Sequence, residues 1–179
     1  MLMIAPILDQ ALSSFGGASG SRAVVLTDPA GESFDQSAAK VLAQFDEIVF
    51  VCGRYEGIDE RFAQMRATHR YSIGDFVLSG GELASLVMAD AIVRNLPGAL
   101  GDAESLEIDS HAVGLLGAPQ YTRPESWQGL DVPDVLRSGD HGAVAKWKKR
   151  QALRTTRERR PDLFALSELE KSDVDMLSS

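Results

Sequence analysis

Two glycine-rich segments are the first feature of this sequence that could bind a small molecule. Residues 53–57 read GRYEG, and residues 72–83 read SIGDFVLSGGEL. Glycine has no Cβ, so backbone groups in such segments can approach a ligand closely. A flat slot of backbone groups suits an adenine ring, with Leu26, Phe76 and Leu78 as candidate apolar walls. Ordinary tight turns remain the alternative, because spacing alone does not separate the two interpretations.

Other chemistries have weaker support in the sequence. A Walker-type glycine–lysine loop and a Gly-x-Ser-x-Gly motif are both absent, which disfavours nucleoside triphosphate and serine hydrolase chemistry. His69, His111 and His141 are too scattered to form a metal-ligand motif, so no metal ligands are predicted. The single cysteine, Cys52, excludes an internal disulfide and is typical of a small core residue.

Charge is distributed unevenly along the chain. The net charge is −8, yet residues 141–160 carry eight Lys or Arg residues and one Glu. Such a segment could contact a polyanion, although a solvated helix face is the alternative interpretation.

Composition indicates a folded cytoplasmic protein. The apolar fraction is 44%, which is enough for a core, and no apolar run approaches the ~18 residues of a membrane span. Residues 1–12 lack the basic start of a signal peptide. We therefore expect a cytoplasmic location and no membrane partner.

Alternating strands and helices must position the glycine-rich segments. Apolar periodicity predicts strands at 23–27, 47–51 and 71–73, and helices at 3–13, 36–45, 58–66 and 82–96. This order favours an α/β fold with a mostly parallel sheet, in which ligands bind after the carboxyl ends of strands. The loops at 27–31, 52–57 and 74–81 occupy such places. The helix at 82–96 is expected to turn six apolar residues towards the core: Leu83, Leu86, Val87, Ala89, Ile92 and Val93.

Three regions are predicted along the chain. Residues 1–97 form the α/β cofactor-binding domain, residues 98–120 a linker without clear periodicity, and residues 121–179 a helical domain that contains the basic segment.

Five motifs in a fixed order resemble those of the bacterial tRNA (guanine-N1)-methyltransferases. They are GRYEGIDERF (53–62), SIGDFVLSGGELA (72–84), VRNLPGALG (93–101), YTRPESWQG (121–129) and VLRSGDH (135–141). The resemblance extends from Met1 to about Phe164.

The resemblance implies a SPOUT-like α/β domain with a deep trefoil knot, followed by a small all-helical C-terminal domain. It also implies a homodimer that uses S-adenosylmethionine to methylate the guanine immediately 3′ of the anticodon in tRNA. The residues expected to contact the cofactor are Leu26, Thr27, Pro29, Gly53, Tyr55, Glu56, Gly57, Ile73, Gly74, Phe76, Leu78, Gly80 and Gly81.

The family's two catalytic roles correspond to Asp109 and Arg94 of this sequence. By resemblance, Asp109 is the general base for the proton on guanine N1, and Arg94 offsets the negative charge that builds on the ring. Without the resemblance, Asp109 is one of four acidic residues in the linker, and Arg94 is a cation at a helix C-terminus.

The resemblance also indicates RNA contacts and a loosely held Mg²⁺. Glu56 and Arg54 could each contact the cofactor's methionine part, orient Arg94 or bind RNA. The residues expected to contact the anticodon arm are Arg54, Ser105, Tyr121, Lys146, Lys149, Arg150 and Arg154.

The sequence departs from the family's pattern in two places. Family members carry a strand, a helix and a glycine-rich loop ahead of the equivalent of Met1, and Gln120 stands where the family usually has His. Two alternatives to an active enzyme of this kind therefore stay open. One is a catalytically impaired remnant that binds RNA or dimerises, and the other is a related ribose methyltransferase, which the GRYEGIDER and YTRPE segments disfavour.

Overall fold

The computed structural model describes residues 1–17, 20–99, 110–111, 114–167 and 169–178. The chain divides into two compact units, Met1–Gly101 and Asp102–Ser179. In the described part of the chain, none of the helices has the length and apolar character needed to cross a bilayer.

The first unit is built around a parallel sheet. Its elements are α1 (Ala5–Ser14), β1 (Arg22–Ser33), α2 (Gln36–Leu42), β2 (Glu47–Cys52), α3 (Glu60–Arg66), β3 (His69–Ser72) and α4 (Glu82–Val93). Among the described residues, the three strands lie in the order β2-β1-β3, and β1 is parallel to both neighbours. The predicted α/β fold with a parallel sheet is confirmed. The trefoil knot stays a prediction.

Helices cover both faces of the sheet. Side chains of β1 alternate between the two faces, so neighbouring residues pack against different helices. Val25 packs in one cluster with Leu42 of α2 and Met88 of α4. Val24 packs in a second cluster with Leu12 of α1 and Phe62 of α3. The sheet therefore has buried apolar layers on both sides, which explains why residues 23–26 of β1 are all apolar.

Strand β1 is longer than predicted and contains an irregular segment. It pairs with β3 up to Thr27 and again from Glu32, so Asp28–Gly31 form a bulge between the two paired parts. A Cβ at Gly31 would lie 2.6 Å from the backbone nitrogen of Tyr71. Glycine is required there because the bulge returns directly against β3. The predicted loop at 27–31 is thus part of the strand.

Helix α4 turns a different face inward than the sequence predicted. Ala84, Met88 and Ile92 are buried, whereas four residues that were expected to face the core are at least half exposed: Leu83, Leu86, Val87 and Val93. The helix is apolar on both faces, so its apolar residues are compatible with either orientation. Of the six predicted core positions, only Ile92 is fully buried.

The second unit is helical as predicted, except for a short hairpin that precedes the helices. Its elements are β4 (Ser126–Trp127), β5 (Leu130–Asp131), a 3₁₀ helix (Asp134–Arg137), α5 (His141–Arg159), α6 (Pro161–Leu166) and α7 (Lys171–Ser178). The positive φ angles of Gln128 and Gly129, 52° and 81°, allow the two-residue turn between β4 and β5. Asp140 caps the basic helix α5 by accepting a hydrogen bond from the Ala143 amide at 3.0 Å.

Candidate functional site

The part of β1 around its bulge and the segments that follow β2 and β3 meet at one edge of the first unit. The Gly81 amide donates a hydrogen bond to the Gly53 carbonyl at 2.9 Å, and Arg54 forms an antiparallel bridge with Gly80. A Cβ at Gly81 would overlap Thr27 Oγ1 and lie 3.0 Å from the Cα of Cys52. Glycine at position 81 therefore lets the start of α4 pack against Thr27 of β1 and the end of β2.

The segment after β2 is a tight turn whose backbone faces open space. Tyr55 has a φ of 58° and Gly57 a φ of 106°. The Gly57 amide donates to the Arg54 carbonyl at 3.0 Å, while the Met3 amide donates to the Gly57 carbonyl at 2.9 Å. Among the described residues, no heavy atom lies within 4 Å of the place that a Cβ of Gly57 would occupy, so a ligand could approach this backbone.

Apolar side chains are exposed beside this open backbone. The exposed fractions are 71% for Tyr55, 57% for Phe76 and 37% for Leu78. Leu26, by contrast, is only 3% exposed and packs inside the sheet. Exposed aromatic and aliphatic groups next to backbone donors and acceptors fit a flat heteroaromatic ring such as adenine.

The remaining residues predicted to contact a cofactor lie around the same edge. Thr27 is buried at the end of the first paired part of β1, and Pro29 is exposed in the bulge. Ile73 packs against the core cluster. A Cβ at Gly74 would lie 2.6 Å from Cε1 of Phe76, so glycine at that position lets the Phe76 ring lie against the backbone.

An ion pair connects two of the converging segments. Arg54 Nε donates to Glu82 Oε1 at 2.7 Å. Hydrogen bonding within the pair lowers the pKa of Glu82 and raises the pKa of Arg54. Arg54 was predicted as an RNA contact, and the structure shows that one edge of its guanidinium binds Glu82. Glu82 is a site residue that was not predicted from the sequence. An acidic residue directly after two glycines is nevertheless typical of a helix N-terminus and could have indicated it.

Arg94 was predicted to offset the negative charge that builds on the guanine ring. It is exposed at the C-terminal cap of α4. The neighbouring Asn95 side chain donates to the Ala91 carbonyl at 2.6 Å and accepts from Gln36 Nε2 at 3.1 Å. These hydrogen bonds fix the last turn of α4 against α2. The other predicted catalytic residue, Asp109, and the predicted RNA contact Ser105 lie outside the described residues.

The basic residues of the second unit have different environments. Lys146 is exposed on α5, whereas Lys149 Nζ lies 2.8 Å from Oδ1 of the buried Asp173. Arg150 and Arg154 are half-buried in the same helix. Tyr121, which precedes the hairpin, has its ring centroid 6.2 Å from that of Trp147. Of the four predicted cations of α5, Lys146 and Lys149 are therefore exposed, and Lys149 is held by Asp173.

Carboxylates, imidazoles and thiols do not cluster as metal ligands in the described part of the chain. No group of three or more such side chains comes together there. The fit to a divalent cation is therefore poor within these residues.

Comparison with known proteins connects this edge to a family. Residues 1–166 match the family model described as tRNA (Guanine-1)-methyltransferase TrmD. The chain is similar to the tRNA (guanine-N(1)-)-methyltransferase of Geobacter sulfurreducens, with 52% identity over 87% of this chain and 63% of the relative. It is also similar to the proteins of that name from Symbiobacterium thermophilum (53%, covering 82% and 59%) and Frankia alni (51%, covering 96% and 66%).

These curated relatives are longer proteins, and the chain spans about three-fifths of their length. The match nevertheless includes all three segments that converge at the sheet edge, together with Arg94 and the basic helix. The chain belongs to the tRNA (guanine-1)-methyltransferase family.

Proposed function

We propose that this protein is an enzyme that transfers a methyl group from S-adenosylmethionine to N1 of the guanine immediately 3′ of the anticodon in tRNA. The observation that supports the proposal most directly is the convergence of three glycine-bearing segments at one sheet edge. The relatives that match these segments are named for guanine-N1 methylation of tRNA. An enzyme with this substrate would work in the cytoplasm.

The sheet edge would hold the methyl donor. When bound, S-adenosylmethionine supplies an electrophilic methyl group on its sulfonium. Tyr55, Phe76 and Leu78 offer exposed apolar surface for the adenine ring, and the space beside the backbone of Gly57 is open among the described residues. Glu56 is exposed in the same turn and could contact the positively charged amino group of the donor.

Asp109 and Arg94 would act on the guanine. The N1 proton must leave as the methyl group arrives, and we assign its removal to the carboxylate of Asp109. A free aspartate has a pKa of ~3.9, which is too low to hold that proton before the transfer, so proton removal and methyl transfer overlap in time. The guanidinium of Arg94 would stabilise the negative charge that develops on the ring and its O6.

The anticodon arm would lie on the second unit, which we propose as the tRNA-binding domain over residues 121–179, joined through a linker at 98–120. Lys146 is exposed on the basic helix α5, and Arg150 and Arg154 present part of their side chains on it. Cations on one helix are suited to phosphate oxygens, which fix position without reading sequence.

A homodimer would complete the active site, and α4 supports this part of the proposal. Leu83, Leu86 and Val87 are 59%, 65% and 52% exposed and lie on one face of the helix. Exposed apolar surface of this kind is typical of subunit interfaces. A Mg²⁺ ion used by the enzyme would take most of its ligands from water and RNA, because the described residues form no metal-ligand cluster.

Cofactor binding followed by methyl transfer tests the proposal. Isothermal titration calorimetry should show that the protein binds S-adenosylmethionine. A tritiated methyl group should then enter a tRNA with guanine 3′ of the anticodon, but not the same tRNA with adenine there. Absence of cofactor binding would contradict the proposal. Binding without methyl incorporation would instead identify a protein that keeps the site without turnover.

A further inference from the structure

The bulge of β1 is held by a carboxylate that makes two different contacts. Asp28 Oδ1 accepts a hydrogen bond from the Ala30 amide at 2.9 Å, which closes the turn of the bulge. Its Oδ2 accepts from Arg70 Nε at 3.0 Å and from Arg70 Nη2. Arg70 lies on β3, so the side chain of Asp28 both shapes the bulge and connects it to the neighbouring strand.

Arg70 uses the rest of its guanidinium on a second acid. Nη1 donates to Glu60 Oε1 at 2.8 Å, and Nη2 donates to Glu60 Oε2 at 3.1 Å. These hydrogen bonds lower the pKa of Glu60 and raise the pKa of Arg70. Because Glu60 is the first residue of α3, the Asp28–Arg70–Glu60 network joins β1, β3 and α3.

This network is better placed to fix geometry than a typical surface ion pair. The side chains of Asp28 and Arg70 are 19% and 32% exposed, so solvent screens their attraction less than at the surface. The planar guanidinium of Arg70 makes two hydrogen bonds to each acid, which fixes the orientation of each carboxylate as well as its distance from Arg70. Glu60 is 56% exposed and contributes less.

The bulge lies directly beside the proposed cofactor site. Thr27, which precedes Asp28, is the residue that Gly81 packs against, and its hydroxyl donates to the Val51 carbonyl at 3.4 Å. Pro29, which follows Asp28, is exposed. The position of the bulge therefore sets one wall of the site.

We infer that Arg70 is a positioning residue that acts through Asp28 to hold the β1 bulge in the shape that binds the methyl donor. This role depends on the proposed function. Neither residue contacts the reacting atoms, so the network should change the affinity for S-adenosylmethionine and leave the rate at saturation unchanged.

The Asp28→Asn and Arg70→Gln variants test the inference. Asn keeps an oxygen for the Ala30 amide but replaces Oδ2, the acceptor for Arg70, with an amide nitrogen that can only donate. Gln removes the guanidinium fork that binds both acids. We expect the dissociation constant for S-adenosylmethionine and its KM to rise about fivefold in Asp28→Asn and about tenfold in Arg70→Gln, with kcat within about twofold of the unaltered protein. Arg70→Lys should restore part of the affinity because it keeps the charge.

A matched control and a double variant make the result specific. Asp162→Asn removes a comparable pair in the second unit, where Arg160 Nε donates to Asp162 Oδ1 at 2.9 Å, and it should leave the affinity unchanged. The double variant Asp28→Asn/Arg70→Gln should bind no more weakly than Arg70→Gln, because the two residues act as one unit. Thermal unfolding of each variant would confirm that binding is measured on folded protein.

Two outcomes overturn the inference and are distinguishable. If the unaltered protein binds S-adenosylmethionine and the folded variants bind it equally well, the network has no positioning role while the proposed function stands. The same conclusion follows if kcat falls at unchanged KM. If the unaltered protein does not bind the cofactor, the proposed function fails and the positioning role fails with it.

Discussion

At the scale of single residues, Arg94 depends on a neighbouring side chain for its position. Arg94 is exposed at the end of α4, and hydrogen bonds of its neighbour Asn95 hold that turn in place. Sequence spacing could not assign a role to Arg94, because a cation at a helix C-terminus is common for electrostatic reasons alone. Its proposed role depends on the family motif in which it lies.

Replacing Arg94 with Ala should lower kcat about 100-fold, because a charge-stabilising donor acts mainly in the transition state. The affinity for S-adenosylmethionine should not change, since Arg94 is assigned to the guanine. Single-turnover methylation and calorimetry measure the two quantities. Arg66→Ala, which removes another arginine at a helix end, is the control. Loss of cofactor affinity in Arg94→Ala would assign this residue to the donor site instead.

Gly81 provides a residue-scale test of the converging segments. A methyl group there would overlap Thr27 and approach the Cys52 backbone, so Gly81→Ala should separate the start of α4 from β1 and β2. We expect the affinity for S-adenosylmethionine to fall at least about tenfold. In Gly17→Ala the added methyl group meets no atom within 4 Å in the part of the chain that the structure describes, so binding should be unchanged. Equal binding by both variants would show that this contact does not shape the site.

At the scale of elements, periodicity predicted the strands better than the faces of the helices. The apolar runs in β1 and β2 could be read directly, because a parallel sheet covered on both faces requires apolar strands. Strand β3 reads HRYS and has no apolar run, so its predicted range of 71–73 begins two residues later than the observed strand. The orientation of α4 could not be predicted from the sequence, because Leu83 and Met88 are both apolar and only packing against the sheet determines which one is buried. The β4–β5 hairpin was missed since each strand has two residues, too few for a period.

The exposed face of α4 leads to a prediction about assembly. If this face forms a subunit interface, Leu86→Glu should convert a dimer of the 19.3 kDa chain into a monomer, because a charge would be buried without a partner. Size-exclusion chromatography with light scattering measures the mass. Met65→Glu introduces the same charge at an exposed residue of α3 and should leave the dimer intact. A dimer that persists in Leu86→Glu would place the interface elsewhere.

At the scale of the whole molecule, charge separates the basic helix from the rest of an acidic chain. The net charge is −8, whereas α5 and Arg160, the residue that follows it, carry eight Lys or Arg residues. The sequence alone predicted this asymmetry, but it did not show which cations are accessible. Lys149 pairs with Asp173, a contact between residues 24 positions apart that no local pattern indicates. Lys146 remains exposed.

Lys146→Glu should therefore weaken tRNA binding and leave cofactor binding unchanged. We expect the KM for tRNA to rise about tenfold at low salt and the difference to shrink as salt increases, because phosphate contacts release counterions. Methylation assays across a salt series measure this dependence. Lys171→Glu changes a lysine of α7 outside the basic helix and serves as the control. An equal effect of both variants would indicate only a general response to net charge.

The identity of the methylated nucleoside tests the central claim most directly. After incubation with S-adenosylmethionine and unmodified tRNA, the nucleosides would be released and identified by liquid chromatography and mass spectrometry. We predict N1-methylguanosine at one residue per tRNA, 3′ of the anticodon. A product methylated on the ribose, or at another ring nitrogen, would contradict the account.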